Sequence, residues 1–144
     1  MKTEYVAGFL FTPDRSMVCL IQKNRPLWQK GKLNAIGGHM EECESPEAAM
    51  QREFEEETGV KIDWSNGLFL KLENEQYNVY FYRKYSSEIL CVKNATDEKV
   101  LTISILDELN TVPVTVAGLI IPNLKWIIPL ALDKDAIYTV VQYK

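Results

Sequence analysis

The chain has 144 residues, 47% of them hydrophobic and 25% charged, with a net charge of −4. That length suits one soluble domain spanning residues 1–144 and burying one substantial core. A net acidic chain has no general basic field, which argues against a nucleic-acid polymer as partner and requires any polyanionic ligand to be neutralised locally.

The opening MKTEYVAGFLFTPD holds one early Lys, then an acidic residue and a short apolar run, which is not a secretory pattern. Residues 5–11 and 17–22 are rich in aromatic and aliphatic side chains and predict two strands. Thr12-Pro13-Asp14 between them predicts a hairpin turn. Residues 23–32 are polar and basic around Trp28 and read as a loop. Gly37-Gly38 reads as a turn that permits positive φ and close backbone approach. Ser45 as N-cap, Pro46 at the first helical position and Gly59 as a left-handed stop predict a helix over 46–58. Strands are predicted at 68–72, 78–85 and 101–106.

Residues 112–132 are apolar enough to raise a membrane span, but Pro113, Pro122, Asn123, Lys125 and Pro129 interrupt them. A buried strand followed by a helix over 124–132, bent at Pro129, explains them better, and no membrane partner is expected. Residues 137–143 read as a closing strand whose edge offers a surface for a homodimer. Strands outnumber helices, so the class is α+β with helices on the sheet faces. Cys19, Cys43 and Cys91 are dispersed and lack metal spacing, which predicts a reducing, cytoplasmic setting.

The helix over 46–58 carries the chemistry. At ~100° per residue, Ala49, Met50 and Phe54 define its apolar side. Glu57 falls close to the centre of that side, Glu53 near it and Glu56 at its margin, while Glu55 points to water. A merely solvated acidic helix would place its glutamates opposite the apolar residues. Buried carboxylates need partners, and Arg52 is expected to pair with only one or two of them. Hard oxygen ligands clustered on one arc suit Mg²⁺ or Mn²⁺. The glycine pair can add a backbone carbonyl to that cation and backbone N–H groups to a phosphate, or be an ordinary turn.

The segment from Gly38 to Val60 resembles the Nudix box. Gly38, Glu44, Arg52, Glu53, Glu56, Glu57, Gly59 and Val60 fit its fixed positions, and Phe54 stands where an aliphatic residue is usual. The resemblance implies a Nudix fold, a mixed sheet sandwiched between helices, and hydrolysis of a nucleoside diphosphate linked to another moiety. It implies Glu53, Glu56 and Glu57, with the Gly37 carbonyl, as ligands to Mg²⁺ or Mn²⁺, one glutamate serving as base. Arg52 and Glu44 are implied as a supporting pair. Glu98, just before a predicted strand, is by the same resemblance a base or extra ligand, against the plainer reading of a solvated loop residue.

Around the box, Gly38 and His39 are candidates for phosphate contact, though His39, the single histidine, reads more readily as a surface residue. Lys23, Arg25, Lys30 and Lys32 form a basic cluster that either meets phosphates or is simply solvated. Trp28 is the better candidate for stacking a base, since Trp126 on an apolar helix reads as core. Asn123 caps the second helix or reads a base edge, with capping favoured. The function expected is a metal-dependent pyrophosphohydrolase acting on a small-molecule nucleotide, first a (deoxy)nucleoside triphosphate or its oxidised form. ADP-ribose, a dinucleoside polyphosphate or a nucleotide sugar are alternatives, as is a catalytically silent nucleotide-binding regulator. A structural Ca²⁺ protein is disfavoured, because the EF-hand spacing is absent.

Overall fold

The computed structural model describes residues 2–105 and 120–142, with side chains through residue 137. β1 (Thr3–Phe11) and β2 (Met17–Gln22) form the expected antiparallel hairpin, with Leu10 opposite Cys19. Asp14 locks the turn. Its Oδ1 accepts from Thr12 Oγ1 at 2.7 Å, Ser16 Oγ at 2.6 Å and the Ser16 N–H at 3.0 Å. Those donors hold its carboxyl down at about 2.

The other edge of β1 runs parallel to β6 (Tyr77–Tyr85) along its whole length, from Thr3 opposite Tyr77 to Phe11 opposite Tyr85. β5 (Leu68–Glu73) is antiparallel to β6, and β8 (Tyr138–Gln142) is parallel to β5. The short β3 (Leu33–Asn34) and β7 (Lys99–Ser104) both pair with β2, and β4 (Ile36–His39) pairs with the first half of β1. The sheet is therefore mixed, and the edge of β1 passes from β4 to β2.

Among the described residues two helices cover its faces, α1 (Pro46–Thr58) and α2 (Leu124–Leu132). Period-2 alternation decides which residue meets which helix. Val6, Leu10, Cys19 and Ile21 lie in the cluster with Ala49, Met50 and Phe54 of α1. Phe9, Phe11, Val18 and Leu20 lie in the cluster with Leu124, Ile127, Ile128, Ala131 and Leu132 of α2. Each Val, Leu, Ile, Met or Phe side chain so buried contributes about 1.5–3 kcal/mol relative to exposure. Trp64 closes the α1 layer edge-on to Phe54, ring centroids 5.3 Å apart. The α+β reading and the helices on opposite faces of a mixed sheet hold. No described helix is long and apolar enough to cross a membrane.

Several expectations are corrected. The glycine pair does not make a turn: Gly37 and Gly38 are strand residues of β4, and positive φ among glycines falls at Gly31 and Gly59. The loop predicted over 23–32 contains a 3-10 turn at Leu27–Gln29 and leads into β3, and a further 3-10 turn spans Ser87–Cys91. The apolar stripe of α1 is completed by Thr58, which is fully buried with Oγ1 donating to the Phe54 carbonyl. Glu57, close to the centre of that side on the helical wheel, is half-buried. The predicted strand at 101–106 starts two residues earlier, and Leu106, Tyr143 and residues 112–119 lie outside the described residues.

Candidate active site

The site is built where α1 crosses β4. A Cβ on Gly37 would fall 1.9 Å from the Val6 carbonyl oxygen, so only glycine fits beside β1 there. A Cβ on Gly38 would fall 2.6 Å from the carboxyl carbon of Glu53. The glycine pair thus lets the Glu53 carboxylate lie directly on the strand backbone, which is close approach without positive φ.

α1 is fixed by local signals. Ser45 Oγ accepts the Ala48 N–H at 3.1 Å, Pro46 opens the first turn, and Gly59 ends the helix at φ 75°. Glu53 and Glu57 then emerge on the flank next to Ala49, four and eight residues on, while Glu56 is more exposed.

Arg52 organises the carboxylates. Its Nε and Nη2 hold Glu44 at 2.8 and 2.9 Å, and its Nη1 reaches Glu53 at 2.9 Å and Glu56 at 3.4 Å. Nη2 also donates to the His39 carbonyl at 3.0 Å, tying α1 to the end of β4. Of the helix glutamates it pairs with two, Glu53 and Glu56, as expected, and Glu44, eight residues back on the preceding loop, is the supporting partner the resemblance implies. Arg52 keeps Glu44 below the usual carboxylate range. Glu53 is shifted the other way: burial raises it, Arg52 opposes that, and the charges of Glu56 and Glu57 add to the rise.

Glu57 is bound differently. Thr96 Oγ1 donates to its Oε2 at 2.8 Å. As the side chains lie, no group of three His, Cys, Asp or Glu among the described residues is gathered to hold a metal ion. Arg52 holds one oxygen each of Glu53 and Glu56, and Thr96 one oxygen of Glu57.

Glu98 is not a solvated loop residue. It is 6% exposed, accepts from Lys23 Nζ at 3.1 Å and takes the Asn24 N–H. Lys23, read only as one of a basic cluster, is thereby fixed. Arg25 and Asp97 face each other at 4.0 Å, both well exposed. His39 is exposed, with its ring 4.5 Å from that of Tyr5. Trp28 is 63% exposed, and with Asn123 it stands outside this bonded network. Asn123 occupies the N-cap position of α2, but its side chain makes no capping bond and its Oδ1 is buried without a partner among the described residues. The capping reading for that side chain is therefore wrong. Thr96 was missed at the sequence level, since nothing near it announces a partner 39 residues away.

A NUDIX domain model matches residues 1–115, and the chain belongs to that family. It is a Nudix pyrophosphohydrolase, acting on a nucleoside diphosphate linked to a further group. No curated protein matches the sequence. Among solved structures it is similar to a MutT described from Aliivibrio salmonicida and Vibrio cholerae, at 22% identity and TM-score 0.60, covering 88% of this chain and 96% of that one. The mutator MutT protein from Bacillus halodurans matches at 22% identity and TM-score 0.63, covering 99% and 90%. The MutT protein from Methanosarcina mazei matches at 16% identity and TM-score 0.63, covering 93% and 95%. At these identities the structural likeness speaks for the fold.

Proposed function

We propose that the chain hydrolyses the pyrophosphate linkage of a small nucleotide with the help of Mg²⁺ or Mn²⁺. A (deoxy)nucleoside triphosphate or its oxidised form is the first substrate to try. The observation that carries this reading is the half-buried Glu53 carboxylate seated on Gly38, with Glu56 and Glu57 on the same flank of α1. The donor set fits such an ion: the candidates are hard oxygens from Glu53, Glu56, Glu57 and the Gly37 carbonyl, with no competing thiolate or imidazole in the set. Mutual repulsion of these carboxylates, which helps raise Glu53, is the cost a dication would relieve. When bound, the ion would screen phosphate oxygens and lower the pKa of the attacking water.

The chain's own residues do the rest. Glu53, raised by burial, is placed to accept the water's proton at its carboxylate. Arg52 acts through Glu44, Glu53 and Glu56, holding their orientation. The backbone at Gly38 and His39 and the exposed Arg25 are candidates for phosphate contact. Trp28 offers an exposed aromatic face for a base, and Asn123, whose buried Oδ1 has no partner among the described residues, is the candidate for reading a base edge. Glu98 enters as the anchor of Lys23 and Asn24 in place of a base. The reading takes the cytoplasm as compartment, and β8, at one end of the sheet order, as the edge for a homodimer, tested by light scattering.

The test is phosphate and pyrophosphate release from a panel of nucleoside triphosphates, ADP-ribose, dinucleoside polyphosphates and nucleotide sugars, with Mg²⁺ and Mn²⁺. Glu53→Gln, Glu56→Gln and Glu57→Gln should each lose most activity. Full activity in Glu57→Gln discards its assignment as a ligand. Tight nucleotide binding with no release of product identifies a silent regulator instead.

A further inference from the structure

The segment after the second 3-10 turn docks on the C-terminal end of α1. The Lys93 N–H donates to the Thr58 carbonyl at 3.1 Å and the Ala95 N–H to the Glu57 carbonyl at 3.2 Å. These belong to the last four carbonyls, which a helix leaves unpaired by itself. The Lys93 side chain covers Gly59, its Cε 2.5 Å from where a Cβ would stand. Asn94 Oδ1 accepts the Val100 N–H at 2.7 Å, and Asn24 Nδ2 donates to the Asp97 carbonyl at 3.1 Å. With Glu98 held by Lys23 and Asn24, the segment is pinned to α1 at one end and to the chain after β2 at the other.

From this pinned segment Thr96 turns its hydroxyl onto Glu57 Oε2 at 2.8 Å. Thr96 Oγ1 itself accepts the Glu98 N–H at 3.3 Å. A hydroxyl has one proton, and the incoming N–H takes a lone pair, so the proton is left for Glu57. The salt bridges of Arg52 reach Glu44, Glu53 and Glu56 but not Glu57. Glu57 is thus the carboxylate of the set oriented by a neutral donor, which fixes one oxygen and leaves the full negative charge in place.

We propose that Thr96 is a positioning residue for Glu57, fixing its Oε2 so that its other oxygen is kept for the divalent cation. This rests on the reading of Glu57 as a ligand given above. Outer-shell donors of this kind orient ligands and set their affinity.

The test measures Mn²⁺ binding to the full chain without nucleotide, by the spin-resonance signal of free Mn²⁺. Thr96→Val and Thr96→Ala should each weaken binding about 3–10-fold, the size of one ordinary exposed hydrogen bond lost. Thr96→Ser should bind within about twofold of wild type, because it restores the hydroxyl. Glu57→Ala should weaken binding on its own, and adding Thr96→Val to it should change nothing further. Saturating Mn²⁺ should return kcat of Thr96→Val to near the wild-type value. Unchanged Mn²⁺ affinity in both Thr96 variants, with Glu57→Ala still weakened, overturns the positioning role alone. Unchanged affinity in Glu57→Ala overturns the ligand reading and the positioning role with it.

Discussion

The two helices cover opposite faces of one sheet but are specified in opposite ways. α1 carries its own start and stop signals: Ser45 bonds the Ala48 N–H, Pro46 opens the turn and Gly59 takes the left-handed stop. α2 has neither. Its N-cap residue makes no side-chain bond, its C-cap Asp133 is extended, and Pro129 lies inside it. Its last carbonyls are satisfied from other elements. Arg83 donates to Leu130, Asp133 and Lys134, Arg15 to Leu132, and the Tyr85 hydroxyl to Ala131. The N–H that Pro129 lacks would have faced the carbonyl of exposed Lys125, where water can substitute. The lesson is that the helix bearing the proposed site is set locally and can carry like charges on its flank. The helix bearing only core is set by the sheet beneath it.

The largest expected effect breaks the α1 side without unfolding it. Glu53→Gln should lower kcat on the preferred nucleotide by about 10²–10⁴-fold, the usual contribution of a positioned base. The same variant should melt at or above the wild-type temperature at neutral pH. Burial raises Glu53 above its ordinary value, so its folded form favours the protonated state and the ionised carboxylate costs stability as pH rises. A large fall in both activity and melting temperature would recast Glu53 as structural.

Next in size is a change on the α2 side. Arg83, 9% exposed, serves three carbonyls at the end of α2, so Arg83→Ala should cost about 3 kcal/mol or more in urea unfolding. Wild-type stability in that variant would mean α2 is held by its apolar face alone. On the α1 side, Ser45→Ala removes one capping bond and should cost about 1 kcal/mol.

The smallest effect is in acid. Arg52 holds Glu44 below its ordinary value of 4.5, so its stabilising contribution is present above that pH and is lost as pH falls through the lowered folded value. Glu44→Gln should flatten this acid limb, read from thermal midpoints between pH 3 and pH 7. An unchanged acid limb would assign it to other carboxylates such as Asp14.

Much of this was legible because the signals are local. The period-2 runs of β1, β2 and β6 and the caps of α1 need only neighbours in sequence, and the Gly38 to Val60 spacing gave the family. What escaped was set by distant partners. β4 is a strand only because Tyr5 to Gly8 pairs with it, and a Gly-Gly dipeptide alone reads as a turn. Glu98 is buried because Lys23, 75 residues away, neutralises it. Asn123 was given a cap by its position, but the carbonyls and amides of α2 make no use of its side chain.

The glutamate flank of α1 as the hydrolytic centre is tested most directly by product release from the nucleotide panel with Mg²⁺, comparing wild type with Glu57→Gln. Release by the wild type that drops at least ~100-fold in the variant is the expected result. Equal release from both, or none from the wild type with any nucleotide, contradicts it.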